Sequence, residues 1–237
     1  MHRSIDKKKI YFYLILLTVL LSIHNQNFNY SIYNFFKIKK IELSDNIEEK
    51  LNSQIYEKLN RFYNFNIFFL KSEEVENILD NFNILGDYKV KKEYPSSLKI
   101  DLSKTNIIAY YFSNDQKIYI GENGKKITQF DINYKNLPSI EGKINIKKLF
   151  NLRMKLKKHG FELNDFIKFY LNKSDRWDLL YNDNLLIRLP LNDIESSIVI
   201  LKDIIKSNDI NNINIIDLRI KNKIILSWIK SKLQFQF

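Results

Sequence analysis

Between residues 36 and 102 the spacing of apolar residues changes twice, and this constrains the fold more than any other feature of the sequence. Alternation of apolar and polar residues predicts a short strand over Phe36–Leu43. Asp45–Glu48 has capping-box spacing and precedes an apolar stripe that predicts a helix over Ile47–Phe62. Ser72 is the predicted N-cap of a second helix. A strand followed by two helices is therefore expected.

Alternation returns at the end of this segment. Tyr88–Lys92 and Leu98–Leu102 each place apolar residues at every second position, and Tyr94–Ser96 between them has the composition of a turn. The predicted order is β-α-α-β-β, and we assign it to a small mixed domain over residues 34–104.

The second half, residues 105–237, shows shorter apolar runs separated by turn residues and two helical stripes. It predicts a mixed, mainly antiparallel β-domain with flanking helices, so the fold class of the whole chain is α+β. Ile107–Phe112 is a predicted strand, and Lys117–Ile127 is a predicted hairpin around Asn123-Gly124. The predicted helices are Asn145–Lys158, which His159-Gly160 ends, and Ile194–Ile205. Arg176–Leu180 and Leu185–Pro190 flank a turn at Asp183-Asn184, and Ile215–Arg219 follows the last helix.

An uncharged run near the N-terminus, Ile10–Ile23, follows Lys7–Lys9. Positive charge ahead of an apolar segment predicts a cytoplasmic tail over residues 1–9 and a single transmembrane helix over residues 10–28, with the remainder outside the cell. The run is short for a span, and its length also fits the core of a cleaved signal peptide. The following residues lack the small-x-small pattern of a cleavage site, which favours the uncleaved anchor.

Composition argues against several classes of function. The formal net charge is +11, but the basic residues are spread along the chain, which favours a solvated Lys-rich surface over a nucleic-acid footprint. Cysteine is absent, so disulfides, thiol nucleophiles and thiolate metal sites are excluded. His2, His24 and His159 have no further ligand at metal-site spacing. We therefore expect no enzymatic activity, cofactor, metal ion or small-molecule substrate.

Several motifs resemble known families. Val90–Ile100 (VKKEYPSSLKI), together with Phe36–Leu43 behind a membrane anchor, resembles a POTRA domain. Downstream, Ala109, Gly124, Arg176-Trp177 and the Asp217–Arg219 segment resemble, in order and spacing, the β-domain of the FtsQ/DivIB cell-division family.

This resemblance implies a non-catalytic divisome scaffold. It would be an inner-membrane protein of type II topology, enriched at the division septum. Its partners would be the outer segments of FtsB and FtsL and other divisome proteins, with no nucleic acid among them. The alternative is a POTRA-containing adaptor for envelope assembly or secretion that holds extended polypeptides.

The resemblance also suggests contact residues on a terminal strand running from Arg219 to Trp228. A strand near the chain end is expected at a sheet edge, where β-augmentation becomes available. Trp228 has an alternative interpretation as a packed sheet aromatic, and Asp217 with Arg219 has the spacing of a structural ion pair. A recruitment surface is expected in the first domain, and its alternative is a solvated edge. The candidate contacts are Arg219, Ile220, Asn222, Lys223 and Trp228 on the strand, and Lys89 and Lys91 on the recruitment surface.

Overall fold

The structure is a computed structural model of the full chain. It divides into two compact units, residues 1–104 and residues 105–237, and each is described by itself. The residues that the structure describes are 7–22, 33–44, 47–128, 136–182, 184–207 and 213–228.

The first unit begins with helix α1, Lys7–Ser22. Its apolar side chains are exposed all round the helix from Ile10 to Leu21. Among the described residues, no helix is both long and apolar enough to cross a membrane. Residues 23–28 of the expected span lie outside the described part of the chain, and the span itself stays a prediction.

A small three-stranded sheet with two helices follows in the same unit. Strands β1 (Lys40–Leu43) and β3 (Ser97–Lys104) pair in parallel, with Ile41 opposite Leu98. Strand β2 (Leu85–Glu93) pairs with β3 in antiparallel fashion, so the sheet order is β1-β3-β2. The order β-α-α-β-β is the one that the apolar spacing predicts. The elements are β1 Lys40–Leu43, α2 Glu49–Leu59, α3 Ser72–Leu79, β2 Leu85–Glu93 and β3 Ser97–Lys104.

Both helix starts differ from the sequence prediction. Helix α2 begins at Glu49, and the predicted cap Asp45 lies outside the described residues. Ser72 is the first helical residue of α3, so it is not the N-cap. The Glu74 carboxylate accepts a hydrogen bond from the Lys71 N–H at 3.4 Å, so an acidic side chain of the first turn bonds back to the residue that caps the helix.

Aliphatic residues form the core of this unit because the predicted stripes face the sheet. Burial of each such side chain contributes about 1.5–3 kcal/mol. Those fully buried include Ile38, Leu51, Ile55, Leu59, Val75, Leu79, Leu98 and Ile100.

The second unit is built on one nine-stranded sheet of order β12-β11-β10-β9-β8-β7-β4-β5-β6. Pairs β4/β7, β7/β8 and β10/β11 are parallel, and the remaining neighbours are antiparallel. The elements are β4 Ile107–Ser113, β5 Gln116–Gly121, β6 Lys126–Ile127, β7 Ser139–Gly142, α4 Ile146–Lys158, β8 Phe166–Leu171, β9 Trp177–Tyr181, β10 Leu185–Arg188, α5 Ile194–Lys206, β11 Ile213–Asp217 and β12 Ile225–Trp228.

Local capping signals set the bounds of helix α4. The Asn145 side chain accepts a hydrogen bond from the Lys148 N–H at 3.1 Å, and His159 is the C-cap. Gly160 follows with φ +87°, a conformation that glycine adopts at low cost. The sequence prediction for this helix is confirmed to within one residue.

Only one face of the large sheet carries the main core. Buried faces of α4 and α5 join sheet residues such as Phe169, Trp177 and Ile187 in a single apolar cluster. Because side chains alternate along a strand, Asp178, Arg188 and Asp217 lie on the opposite face. The register places Arg188 beside both carboxylates.

Candidate functional site

Strand β12 lies at one end of the nine-stranded sheet. It pairs only with β11 among the described residues, in antiparallel register, with Asp217 opposite Ile225 and Ile213 opposite Trp228. The expectation that the last strand forms a sheet edge is confirmed. An edge strand carries N–H and C=O groups that point away from the sheet, and another extended chain can pair with them.

The strand is shorter than predicted. It comprises Ile225–Trp228, whereas Arg219, Ile220, Asn222 and Lys223 lie in the connection that precedes it. The prediction that these four residues belong to the strand is therefore wrong.

A tight turn explains the shortening. The Lys223 N–H donates to the Ile220 carbonyl at 3.1 Å, and Asn222 has φ +60° at the third position of the turn. Glycine and asparagine are the residues that this position favours. The backbone therefore reverses at Lys221-Asn222, and a proline at position 223 would disrupt a turn hydrogen bond instead of testing the strand.

Arg219 is held in place by Asp217. Its Nε lies 2.8 and 2.9 Å from the two carboxylate oxygens, and its backbone N–H donates to Asp217 Oδ1 at 3.1 Å. Arg188 Nη1 approaches the same carboxylate at 3.8 Å. The interpretation of Asp217 and Arg219 as a structural ion pair is confirmed.

The two carboxylates on this face have opposite pKa shifts. Burial acts to raise the pKa of Asp217, but the hydrogen bonds from Arg219 and the charges of Arg219 and Arg188 outweigh it and hold the pKa below its usual range. Burial raises the pKa of Asp178, against the lowering effect of the charges of Arg188 and Arg219. Asp217 thus stabilises an ionised pair, whereas Asp178 carries a charge that its surroundings disfavour.

Trp228 projects from the edge with 63% of its surface exposed. This exposure argues against the interpretation of Trp228 as a packed sheet aromatic. Ile220, Ile224 and Ile225 are also exposed. We call these four residues the edge patch. The sequence prediction did not include Ile224 and Ile225, although two adjacent isoleucines where the last strand begins are visible in the sequence.

A cavity of about 390 Å³ adjoins the edge patch. Its walls are the Ile220–Lys223 turn, the start of α5 with Asp193 and Ser196, and the Pro190-Leu191 segment. It combines apolar surface with charges of both signs, those of Arg219, Lys221 and Lys223 and that of Asp193.

Lys89 and Lys91 lie on β2, an edge strand of the small sheet. Both are exposed, and so are Asp87 and Glu93 on the same strand. Lys91 Nζ lies 2.6 Å from Asp101 Oδ2. This edge therefore carries both positive and negative side chains, whereas the edge patch is apolar.

Histidine contributes to structure at one described position. His159 caps α4, and its Nε2 lies 3.5 Å from Glu195 Oε1. No group of three or more His, Cys, Asp or Glu residues is arranged to hold a metal ion in the described part of the chain.

Comparison with known proteins gives consistent matches. The family model "Cell division protein FtsQ/DivIB, C-terminal" matches residues 109–219. Cell division protein FtsQ of Rickettsia typhi is 28% identical over 185 residues, which cover 77% of this chain and 68% of that protein. The Rickettsia bellii FtsQ is 29% identical over 79% of this chain and 71% of its own length. Cell division protein DivIB of Clostridium tetani is 29% identical over 68% and 60%, respectively.

The family model lies within the second unit, and the FtsQ relatives match most of the chain. The chain is thus similar to FtsQ and DivIB cell division proteins, and these matches together support an FtsQ/DivIB-type protein.

Proposed function

We propose that this protein is a non-catalytic scaffold of the divisome that captures a partner strand on β12. The edge patch is the observation that supports this proposal. The open edge of β12 offers backbone pairing, and exposed Ile225 and Trp228 offer apolar contacts on the two opposite faces of the strand. The expected partners are the outer segments of FtsB and FtsL, which the family resemblance implies.

The proposed topology rests on α1. From Ile10 onward this helix is apolar all round and needs an apolar environment, and Lys7–Lys9 form its first turn. We propose that residues 10–28 anchor the chain in the inner membrane and that residues 34–104, a POTRA-type domain, recruit it to the septum. Alkaline phosphatase fused after Phe237 is expected to be active, and release of a shortened soluble chain would identify a cleaved signal instead.

Lys89 and Lys91 are the proposed recruitment contacts. Because the Lys91–Asp101 pair is exposed to solvent, its contribution to folding is small. Reversing both lysine charges with Glu is therefore expected to leave folding intact and to reduce the septal enrichment of a fluorescent fusion. Unchanged midcell rings from this variant would refute the assignment of these two residues.

The binding test compares two equally exposed aromatics of the same unit. Trp228 on β12 and Phe112 on β4 are each 63% exposed. Trp228→Ala is expected to weaken binding of an FtsB fragment at least about tenfold, as truncation of an interface anchor does. Phe112→Ala is expected to leave binding unchanged because β4 is paired on both sides.

The stability of the Trp228→Ala variant distinguishes a side chain that contacts a partner from one that packs in the core. An exposed aromatic contributes little to the core, so Trp228→Ala is expected to reduce the free energy of unfolding by less than about 1 kcal/mol. Full binding by Trp228→Ala, or equal losses in the two variants, would remove Trp228 from the proposed interface. In that case the adaptor alternative, in which the protein holds unfolded polypeptides, becomes testable by affinity for denatured outer-membrane chains.

A further inference from the structure

In residues 33–104 of the first unit the exposed large apolar side chains differ in type from most of the buried ones. Aliphatic residues such as Ile38, Leu51 and Leu98 are buried. In the described residues 33–104, every large hydrophobic side chain in the exposed class is aromatic, and these side chains come from three separate segments. They are Tyr33, Phe35, Tyr63, Phe65, Phe68, Phe69 and Tyr94.

Ring contacts join these segments into one surface. The Phe35 and Phe36 centroids lie 5.2 Å apart, Phe36 and Phe68 lie 4.7 Å apart, and Phe68 and Tyr94 stack at 5.0 Å. We call these four residues the aromatic cluster. Backbone hydrogen bonds fix it, since the Ile67 N–H donates to the Phe36 carbonyl at 2.9 Å. Exposed aromatic surface that the fold assembles from remote segments is typical of a docking site.

The charges beside the cluster are almost all positive. Lys37 Nζ lies 5.2 Å from the centroid of the Tyr33 ring. The three segments 33–40, 61–71 and 92–96 carry a single acidic residue, Glu93. Their basic residues are Lys37, Lys39, Lys40, Arg61, Lys71 and Lys92, of which Lys40 is ion-paired with Glu42 just beyond the first segment.

The chain connection limits how far this surface can lie from α1. Eleven residue steps separate Ser22 from Tyr33, and even a fully extended chain covers at most about 40 Å in that number of steps. If α1 enters a bilayer, the cluster is therefore tethered close to the lipid headgroups. Tyrosine with nearby Lys and Arg is enriched at that level, where aromatic rings sit among the headgroups and cations attract anionic lipids.

We propose that the aromatic cluster and Phe69 dock onto the outer surface of the same membrane that holds α1, and so fix the first unit against the bilayer. The apolar rings enter the headgroup region, and the surrounding cations contact anionic lipid phosphates. The inference rests on the proposed anchoring through α1. It assigns the aromatic surface to lipid, whereas β12 remains available for the protein partner.

Nitroxide labels in the full chain test this docking. The chain has no cysteine, so each introduced cysteine is a unique labelling site. Phe69→Cys reports on the aromatic surface, where Phe69 is 72% exposed, and Tyr94→Cys gives a second reporter if the first perturbs the fold. Asp87→Cys is the matched control, because it is exposed on the same unit but lies near the start of β2, about 20 Å along the strand from Glu93.

The labelled chain is reconstituted into vesicles of phosphatidylcholine with and without phosphatidylglycerol. We expect the label at position 69 to lose collisions with a water-soluble nickel chelate and to retain collisions with oxygen, most strongly in the anionic vesicles. The label at position 87 is expected to stay accessible to the chelate in both.

A nitroxide label at Leu17→Cys reports whether α1 lies in the bilayer, independently of whether the aromatic surface docks onto it. A label at position 17 inside the bilayer, with labels at 69 and 94 fully accessible to the chelate, overturns the docking alone. An accessible label at position 17 overturns the anchor. Disulfide formation between copies through position 69 would show that a second copy covers the aromatic surface, and this too overturns docking onto lipid.

Discussion

Asp217→Asn and Asp178→Asn are expected to change the stability of the second unit in opposite directions at pH 7. Both carboxylates flank Arg188 on the same face of the sheet. Asp217 is ionised at low cost because Arg219 hydrogen-bonds to it, so loss of its charge destabilises the fold. Asp178 is partly buried, its pKa is raised, and it has no ion pair at salt-bridge distance within the described residues. Loss of that charge is therefore expected to stabilise the fold.

The magnitude for Asp217→Asn follows from its hydrogen bonds. Bonds to a charged group contribute roughly 1.5–3 kcal/mol. The Asp217 side chain is 9% exposed, but that of Arg219 is 36% exposed, so water screens the pair. We therefore expect a loss of about 1.5 kcal/mol, which lowers Tm by about 5 °C in a unit of this size.

Both stability changes depend on pH. The folded-state pKa of Asp217 is depressed, so its stabilisation is present above its unfolded pKa, about 3.9, and is lost as pH falls through the folded value. The deficit of Asp217→Asn should therefore shrink below about pH 4. The folded-state pKa of Asp178 is raised, so its penalty develops as pH rises through that pKa. The gain from Asp178→Asn should thus be present at pH 7 and absent below about pH 4.

Tryptophan fluorescence during thermal unfolding of the full chain measures both effects. The chain has two tryptophans, Trp177 and Trp228, and both lie in residues 105–237, so the signal reports on the second unit. A decrease in Tm for both variants at pH 7 would refute the electrostatic reasoning. Differences in Tm between each variant and the wild type that do not vary with pH would also refute it.

Two further predictions concern backbone conformation. Gly142→Ala is expected to destabilise the second unit by more than about 3 kcal/mol, because φ is +80° and the added Cβ would lie 2.2 Å from the Leu171 carbonyl oxygen. Gly124 has a similar φ of +76°, but an added Cβ there meets open space. Gly124→Ala is therefore expected to cost about 1–2 kcal/mol, and thermal melts compare the two variants. Asn222→Gly is expected to preserve both Tm and FtsB binding, whereas Asn222→Val should weaken binding by disturbing the turn that leads into β12. Equal melts for the two alanine variants, or equal binding by the two Asn222 variants, would contradict these assignments.

Local sequence signals predicted much of this fold. The cap at Asn145 and Gly160 set the bounds of α4. Apolar spacing likewise predicted the β-α-α-β-β order of the first unit, because each element there carries its own periodicity.

Features that depend on distant pairing were not predicted. Strand β7 has four residues and forms because Ser139 pairs with Tyr110 and Lys168 on its two sides. Sequence order placed the last strand at an edge, but the reversal at Asn222, which shortens it, was not anticipated. The aromatic cluster was also missed, because its rings meet only after three remote segments have folded together.

Amide hydrogen exchange of the full chain, with and without the FtsB fragment, tests the central claim most directly. If a partner strand pairs with β12, the amides of Ile225–Trp228 that point away from β11 gain protection on binding, while those already bonded to β11 change little. Protection that appears elsewhere on the chain, with exchange across Ile225–Trp228 unchanged, would contradict capture of a partner at this edge.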